Sequence, residues 1–224
     1  KNTCWVAYSG GVDSRVLLDL CKQIEPELPA QIKIIHVHHG LSAYADDWSK
    51  HCEHVSAAYG FEYIEQRVDV AGDGSPEELA RNARYAAFAE LMQSGDVLLT
   101  AHHQDDQAET LLLQLLRGAG PKGLAAMPVV KVFSHGKQIR PLLNVSQKDI
   151  LDYAHLHDLK WVEDESNRNR AFTRNYLRHE IMPVLKKRWH NVEAIIARSA
   201  AHCAESQDLL EDATIDKLEQ LSGS

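Results

Sequence analysis

The sequence predicts an α/β protein: a parallel sheet with helices on both faces, followed by a mainly helical C-terminal segment. Three observations lead there. Short apolar runs rich in strand formers alternate with helix-periodic stretches between Cys4 and Gly118, and such alternation implies right-handed crossovers and parallel strands. Polar, glycine-bearing loops follow the strands, on the side where open α/β sheets bind ligands. From Val192 to Leu221 the pattern is helical throughout. At 224 residues, 44% hydrophobic and 25% charged, the chain can bury one sizeable core, alone or with a smaller appendage. We expect one domain over residues 1–185 and, over 186–224, a helical linker or the start of a further domain.

The elements follow in order. "CWVAYS" is a strand, "SRVLLDLCKQI" a helix ended by "EPELP", and "IKIIHVHHG" a second strand. "YADDWSKHCEHVSAAYG" is a helix closed by Gly60, and "FEYIEQRVDV" a third strand. "SPEELARNARYAAFAELMQSG" has the clearest helix start: Ser75 caps it, Pro76 takes the first helical position and Glu78 completes a capping box. "DVLLTA" is a fourth strand and "DDQAETLLLQLLRG" a helix closed by Gly118. "VVKVFSHGKQI" is a hairpin with His135 and Gly136 in its turn, and "SQKDILDYAHLHDL" a helix. "KWVEDES" is a short extended piece, and in "TRNYLRHEIMPVLKKRW" Pro183 kinks a helix or starts a new one. Four loops should face a ligand: Ser9 to Ser14, His36 to Ser42, Val70 to Ser75 and His102 to Asp106.

Composition narrows the function. No run of about 18 apolar residues exists, so no membrane span is expected, and with a strand entered at once no cleavable signal is expected in the first residues. The cysteines Cys4, Cys21, Cys52 and Cys203 form no CxxC pair, which fits reduced thiols in a cytoplasmic protein. The net charge is −8, yet residues 160 to 190 carry eight basic and four acidic side chains. That segment could meet a polyanion, or it could be a solvated helix face.

"SGGVDS", residues 9 to 14, is a phosphate cradle by its chemistry. Gly10 and Gly11 allow a tight turn and close backbone approach. The following helix offers unpaired N–H groups, and Ser9 and Ser14 add hydroxyls. Neither GxxxxGK[ST] nor GxGxxG is present. Asp13 would repel a bare phosphate but suits one arriving with Mg²⁺; capping the helix is its other use. Asp106 and Glu109, three apart, share a helix face; taken alone they read first as acids favouring a helix N-terminus, and two carboxylates also suit an ammonium group. His36, His38, His39, His102 and His103 lack a clear metal-ligand spacing.

"SGGVDS" resembles the PP-loop of the N-type ATP pyrophosphatases, adenine nucleotide α-hydrolase-like domains that cleave ATP between the α and β phosphates. With it, "HVHHGLS", "TAHHQDDQAET", "LRGAGPKGLAAM", "RPLL" and "DESNRNRAFTRNYLR" resemble the tRNA(Ile)-lysidine synthase family over almost the whole chain up to about residue 205. The resemblance implies an enzyme that adenylylates carbon 2 of the wobble cytidine of an isoleucine tRNA (CAU anticodon), after which free L-lysine displaces AMP. It implies ATP held by Ser9, Gly10, Gly11, Val12, Asp13, Ser14, His36 and His38, with Mg²⁺ on Asp13. It places lysine on Asp106 and Glu109, with Asp13, Asp106, Glu109 and Arg84 as the catalytic set. Arg117, Lys122, Arg174 and Arg178 would meet the tRNA. A related tRNA thiolase, an amidating relative and a non-catalytic nucleotide- or tRNA-binding module are the alternatives. The apolar face in "IIARSAAHCAESQDLL" leaves room for a further domain or a second subunit in a homodimer.

Overall fold

The computed structural model describes residues 2–222 except Ala71 and Gly74, so part of the loop expected at Val70 to Ser75 lies outside the described residues. Contacts divide the chain into two compact units. One comprises Lys1–His102 and Val129–Asn167, the other His103–Pro128 and Arg168–Ser224.

The first unit is built on a six-stranded sheet of order β3-β2-β1-β4-β6-β5. Its strands are β1 (Thr3–Ala7), β2 (Gln31–His38), β3 (Glu62–Arg67), β4 (Val97–Leu99), β5 (Val130–Phe133) and β6 (Gly136–Ile139). All neighbours are parallel except β5 and β6. The hairpin therefore extends the sheet: β6 lies beside β4, with Leu98 opposite Gln138. Its turn is Ser134 and His135, one residue earlier than expected, because Phe133 pairs with Gly136. Gly136 is a glycine for a different reason: a Cβ there would overlap the Asp96 carbonyl oxygen.

Helices cover both faces, as alternation along the strands requires. Cys4 and Val6 of β1 and Ile32 and Ile34 of β2 pack with α1 (Val12–Ile24), α2 (Ala45–Ala58) and α6 (Gln147–Leu156). The opposite side of the same strands, Trp5 and Ile35, packs on Phe88 and Leu91 of α3 (Pro76–Leu91). Ser75 caps α3 as expected, accepting the Glu78 N–H at 3.2 Å.

The second unit is helical. It contains α4 (Gln104–Leu116), α5 (Pro121–Leu124), α7 (Thr173–Tyr176), α8 (Met182–Arg188) and α9 (Val192–Ser222). Ala108 of α4, Met182 and Leu185 of α8, and Val192 and Ile196 of α9 form its apolar centre. Between α7 and α8 the chain makes a π-helical turn, Leu177–Ile181, after which Pro183 sits in the first turn of α8. Proline has no N–H to donate, so it is tolerated where a helix restarts. Among the described residues no helix is long and apolar enough to cross a membrane.

Asp96 ties three strands together. Its carboxylate accepts the Thr3 N–H at 2.8 Å, the Trp5 indole N–H at 3.1 Å and the Gln93 N–H at 3.0 Å. Its carbonyl oxygen accepts the Lys137 N–H at 3.1 Å. Burial opposes ionisation, but these hydrogen bonds and the Lys33 charge outweigh it and hold the carboxyl below its ordinary pKa. The ionised group therefore contributes stability above the unfolded value, near ~3.9, and loses it as pH falls through the folded value. Asp96→Asn should cost about 1–3 kcal/mol at neutral pH. Denaturant unfolding should show the gap between wild type and variant narrowing as the pH is lowered below about 4.

Candidate active site

The phosphate loop is shaped by one turn. After β1, Gly10 adopts φ +88°, and a Cβ there would stand 2.8 Å from Val162 Cγ2. The Gly10 carbonyl accepts the Val162 N–H at 2.9 Å, so the chain at Val162 closes over the loop; of the expected extended piece "KWVEDES", Glu165 and Ser166 belong instead to a 3-10 turn, Glu165–Arg168. Gly11 is the N-cap of α1, and no side chain caps that helix. Asp13 stands at the second helical position, which sets aside its reading as the cap. Ser14 Oγ donates to the Gly11 carbonyl at 3.0 Å and lies 3.1 Å from Ser9 Oγ. Ser9 Oγ in turn accepts the Gly11 N–H at 3.4 Å. These hydroxyls brace the loop. Val12 is partly buried and packs against the core.

A cavity of about 350 Å³ opens above this loop, at the carboxyl ends of β1, β2 and β4. The direction of chain progression reverses there, β2 and β3 lying on one side of β1 and β4 on the other. Ser9, Gly11, Asp13, Ser14, His36, His38 and Arg84 all line it. His36 is buried, with Nδ1 2.9 Å from the Tyr8 carbonyl oxygen. Burial pushes its imidazole below the ordinary pKa, only partly offset by that hydrogen bond and by Glu65. His39 is likewise lowered, by burial and then by the Arg84 charge. His38 Nε2 is 3.1 Å from Asp46 Oδ1, a carboxylate that also pairs with Arg67.

Sequence reasoning missed Trp48, Tyr85, Asp164 and Asn167, which also line the cavity. Tyr85 sits one residue from Arg84, but aromatic residues on an amphipathic helix give no signal of their own. Burial raises its phenol pKa, yet a hydrogen bond from Gln138 and the charges of Arg81, Arg140 and Arg84 lower it further, for a net decrease. Arg84 and the two carboxylates Asp13 and Asp164 are the charged side chains on the cavity wall.

The second unit holds the other predicted residues. Asp106 and Glu109 project from the first turns of α4 and meet Arg174 and Arg178. Arg174 Nε donates to Glu109 Oε2 at 2.7 Å, and Arg178 Nε to Glu109 Oε1 at 2.6 Å. Both guanidiniums also reach Asp106 Oδ1, at 3.2 and 3.1 Å. The acids assigned to lysine and two of the arginines assigned to tRNA thus form one cluster. Asp106 also closes a capping box at His103, accepting its backbone N–H at 3.0 Å. Arg117 is exposed at the far end of α4, and Lys122 of α5 is exposed and 3.3 Å from Glu211. Among the described residues no three His, Cys, Asp or Glu side chains converge on a metal position.

A glycine loop at the β1 switch point, with a polar cavity above it, defines a nucleotide-binding α/β protein. The ATP_bind_3 family model, a PP-loop domain, matches residues 1–185, and the chain belongs to that family. It is similar to proteins named tRNA(Ile)-lysidine synthase. The one from Pseudomonas fluorescens is 49% identical over 97% of this chain and 49% of its own. That of Pseudomonas aeruginosa is 52% identical over 94% and 48%. The chain spans about half the length of these relatives. Among solved structures, a U34-tRNA thiolase of Methanococcus maripaludis shares the fold, with a TM-score of 0.74 and 19% identity over 92% of this chain and 72% of that one.

Two outcomes follow from the geometry. Glu109 is 2% exposed and its arginine partners 22% and 28%. Glu109→Gln should therefore cost about 2–3 kcal/mol, less than the ~3–5 of a fully buried broken pair. Combining it with Arg178→Gln should recover part of that loss in a double-mutant cycle; strict additivity would show the pair uncoupled. The His36 ring, followed by NMR, should titrate below about 6.5, with stability falling as pH drops from there through the measured midpoint.

Proposed function

We propose that this chain is the catalytic part of a ligase that joins free L-lysine to carbon 2 of the wobble cytidine of an isoleucine tRNA with a CAU anticodon, consuming ATP to AMP and pyrophosphate. The observation that carries the reading is a lysine-free phosphate loop with Asp13 in its cavity, in a chain about half identical to relatives of that name. Residues 1–185 would be the PP-loop ATP-binding catalytic domain and 186–224 a helical linker or the start of a C-terminal domain. The location would be cytoplasmic.

ATP would lie on residues Ser9 to Ser14 with its base side toward His36 and His38, and Arg84 would face the phosphates. The residues present fit Mg²⁺: Asp13 is a hard oxygen ligand on the loop, and Asp164 is a second carboxylate lining the same cavity. The bound ion would neutralise charge on the departing pyrophosphate. In the first step the cytidine O2 forms a bond to the α phosphorus and the bond to pyrophosphate breaks. In the second, the lysine ε-nitrogen bonds to carbon 2, the C2–O2 bond breaks and AMP leaves with that oxygen. The amine must first lose a proton, since it titrates near about 10.4 in water. Asp106 or Glu109 is the acceptor we assign.

The cluster around Glu109 offers carboxylates and guanidiniums together, the partners that the two ends of a zwitterionic amino acid need. Arg117 and Lys122 would meet tRNA phosphates directly, and Arg174 and Arg178 by exchanging a carboxylate for a phosphate. A thiolase reading finds no support in the cysteines: Cys4, Cys21 and Cys52 are buried, and burial pushes their thiols up to about 11, 12 and 12.

The test mixes protein, ATP, Mg²⁺, labelled lysine and unmodified isoleucine tRNA. Label should enter the tRNA only with ATP present, and absence of incorporation by a full-length version would refute the reading. Asp13→Ala and Asp106→Ala should each lower incorporation by about 100-fold or more. An unaffected rate would remove that residue's role.

A further inference from the structure

The stretch "RGAGPKGLAAM", Arg117 to Met127, has the composition of a flexible basic connector. In the structure it is a built element. Arg117 ends α4, α5 begins at Pro121 and packs against α4 and α9, and the segment finishes at buried Met127. Just before that end, Ala126 adopts φ +54°, a region that residues with a side chain enter only when their surroundings impose it.

Gln107 of α4 supplies the constraint. Its Nε2 donates to the Met127 carbonyl at 2.8 Å, and its Oε1 accepts the Met127 N–H at 2.9 Å. Both bonds are buried, so the side-chain amide serves Met127 as a neighbouring strand would, using its donor and its acceptor at once. Gln107 follows Asp106 directly and precedes Glu109 by two positions. One turn of α4 thus holds the arginine-paired acids on one side and the end of the basic segment on another.

We propose that Gln107 is a positioning residue for tRNA: it fixes where Arg117 and Lys122 stand relative to Asp106 and Glu109. The inference rests on the ligase reading, in which the basic segment meets tRNA and the acids meet lysine. The amide is chemically specific here. An ionised glutamate could accept the Met127 N–H but would repel the Met127 carbonyl. A protonated glutamic acid, with one O–H donor and one carbonyl acceptor, restores both bonds.

The experiment compares wild type, Gln107→Ala and Gln107→Glu by three readouts: tryptic cleavage after Arg117 and Lys122, affinity for unmodified isoleucine tRNA, and affinity for ATP. Gln107→Ala should be cleaved faster in this segment and bind tRNA about tenfold more weakly, a loss of ~1.4 kcal/mol, with ATP affinity unchanged. Gln107→Glu should match it at neutral pH. As the pH is lowered and the buried carboxyl protonates, its tRNA affinity relative to wild type should recover. Wild-type cleavage and tRNA affinity in Gln107→Ala would overturn the proposal. So would a parallel loss of tRNA and ATP affinity, which marks a general structural role, or a Gln107→Glu deficit that does not move with pH. If wild type binds tRNA and the variants match it, only the role of Gln107 fails. If a full-length wild type itself does not bind this tRNA, the ligase reading fails with it.

Discussion

The backbone turn at Gly10 is the constraint on which the nucleotide end of this protein depends. A φ of +88° redirects the chain from β1 into α1, and the space a side chain would need is taken by Val162. That turn makes Gly11 the N-cap, brings the start of α1 to the cavity and sets Asp13 on its wall. The hydroxyls of Ser9 and Ser14 brace the same turn from inside. Because the Gly10 carbonyl also accepts the Val162 N–H, the strand of chain that brings Asp164 is held by the same residue. Phosphate binding of this kind needs a rigid backbone more than it needs any one side chain.

The second unit meets the opposite problem, since its defining group is a buried anion. Glu109 is 2% exposed, and a carboxylate taken out of water is costly unless it is paired. Arg174 and Arg178 each donate to it, and Asp106 shares both guanidiniums. Such clusters are rarely retained for stability, because apolar replacements often do as well. Their use is to hold charges in fixed places. The π-helical turn that carries Arg178, followed by the restart at Pro183, is a local irregularity of the sort often found where a side chain must be aimed.

Much of the fold was legible because its signals are local. Apolar runs marked the strands, and Ser75, Pro76 and Glu78 marked the start of α3. The turn of the hairpin was misread by one residue. Gly136 carries a turn signal, but it is glycine because of Asp96, 40 positions earlier in the chain, and no local rule contains that contact. The candidate site divided in the same way. Loop residues with distinctive chemistry, Ser9 to Ser14 and the His36–His38 pair, were visible in the sequence. Tyr85 and Asp164 were not, because an aromatic on a helix or an acid in a loop acquires meaning only from what faces it.

The sequence by itself determined the class of fold, the anion-binding loop and the family, since each depends on residue types at fixed short spacings. Only the tertiary structure decided which charges neutralise one another and which polar groups are spent on holding the chain. Asp106 and Glu109 look like open acids in the sequence and are arginine-paired in space. Gln107 looks like a spacer between them and is a two-bond clamp on Met127. The physical reason is range. Backbone preference and helix periodicity act over a few residues, whereas ion pairs and hydrogen bonds are set by distance in space. Here those distances join positions about 20 and nearly 70 residues apart in the chain.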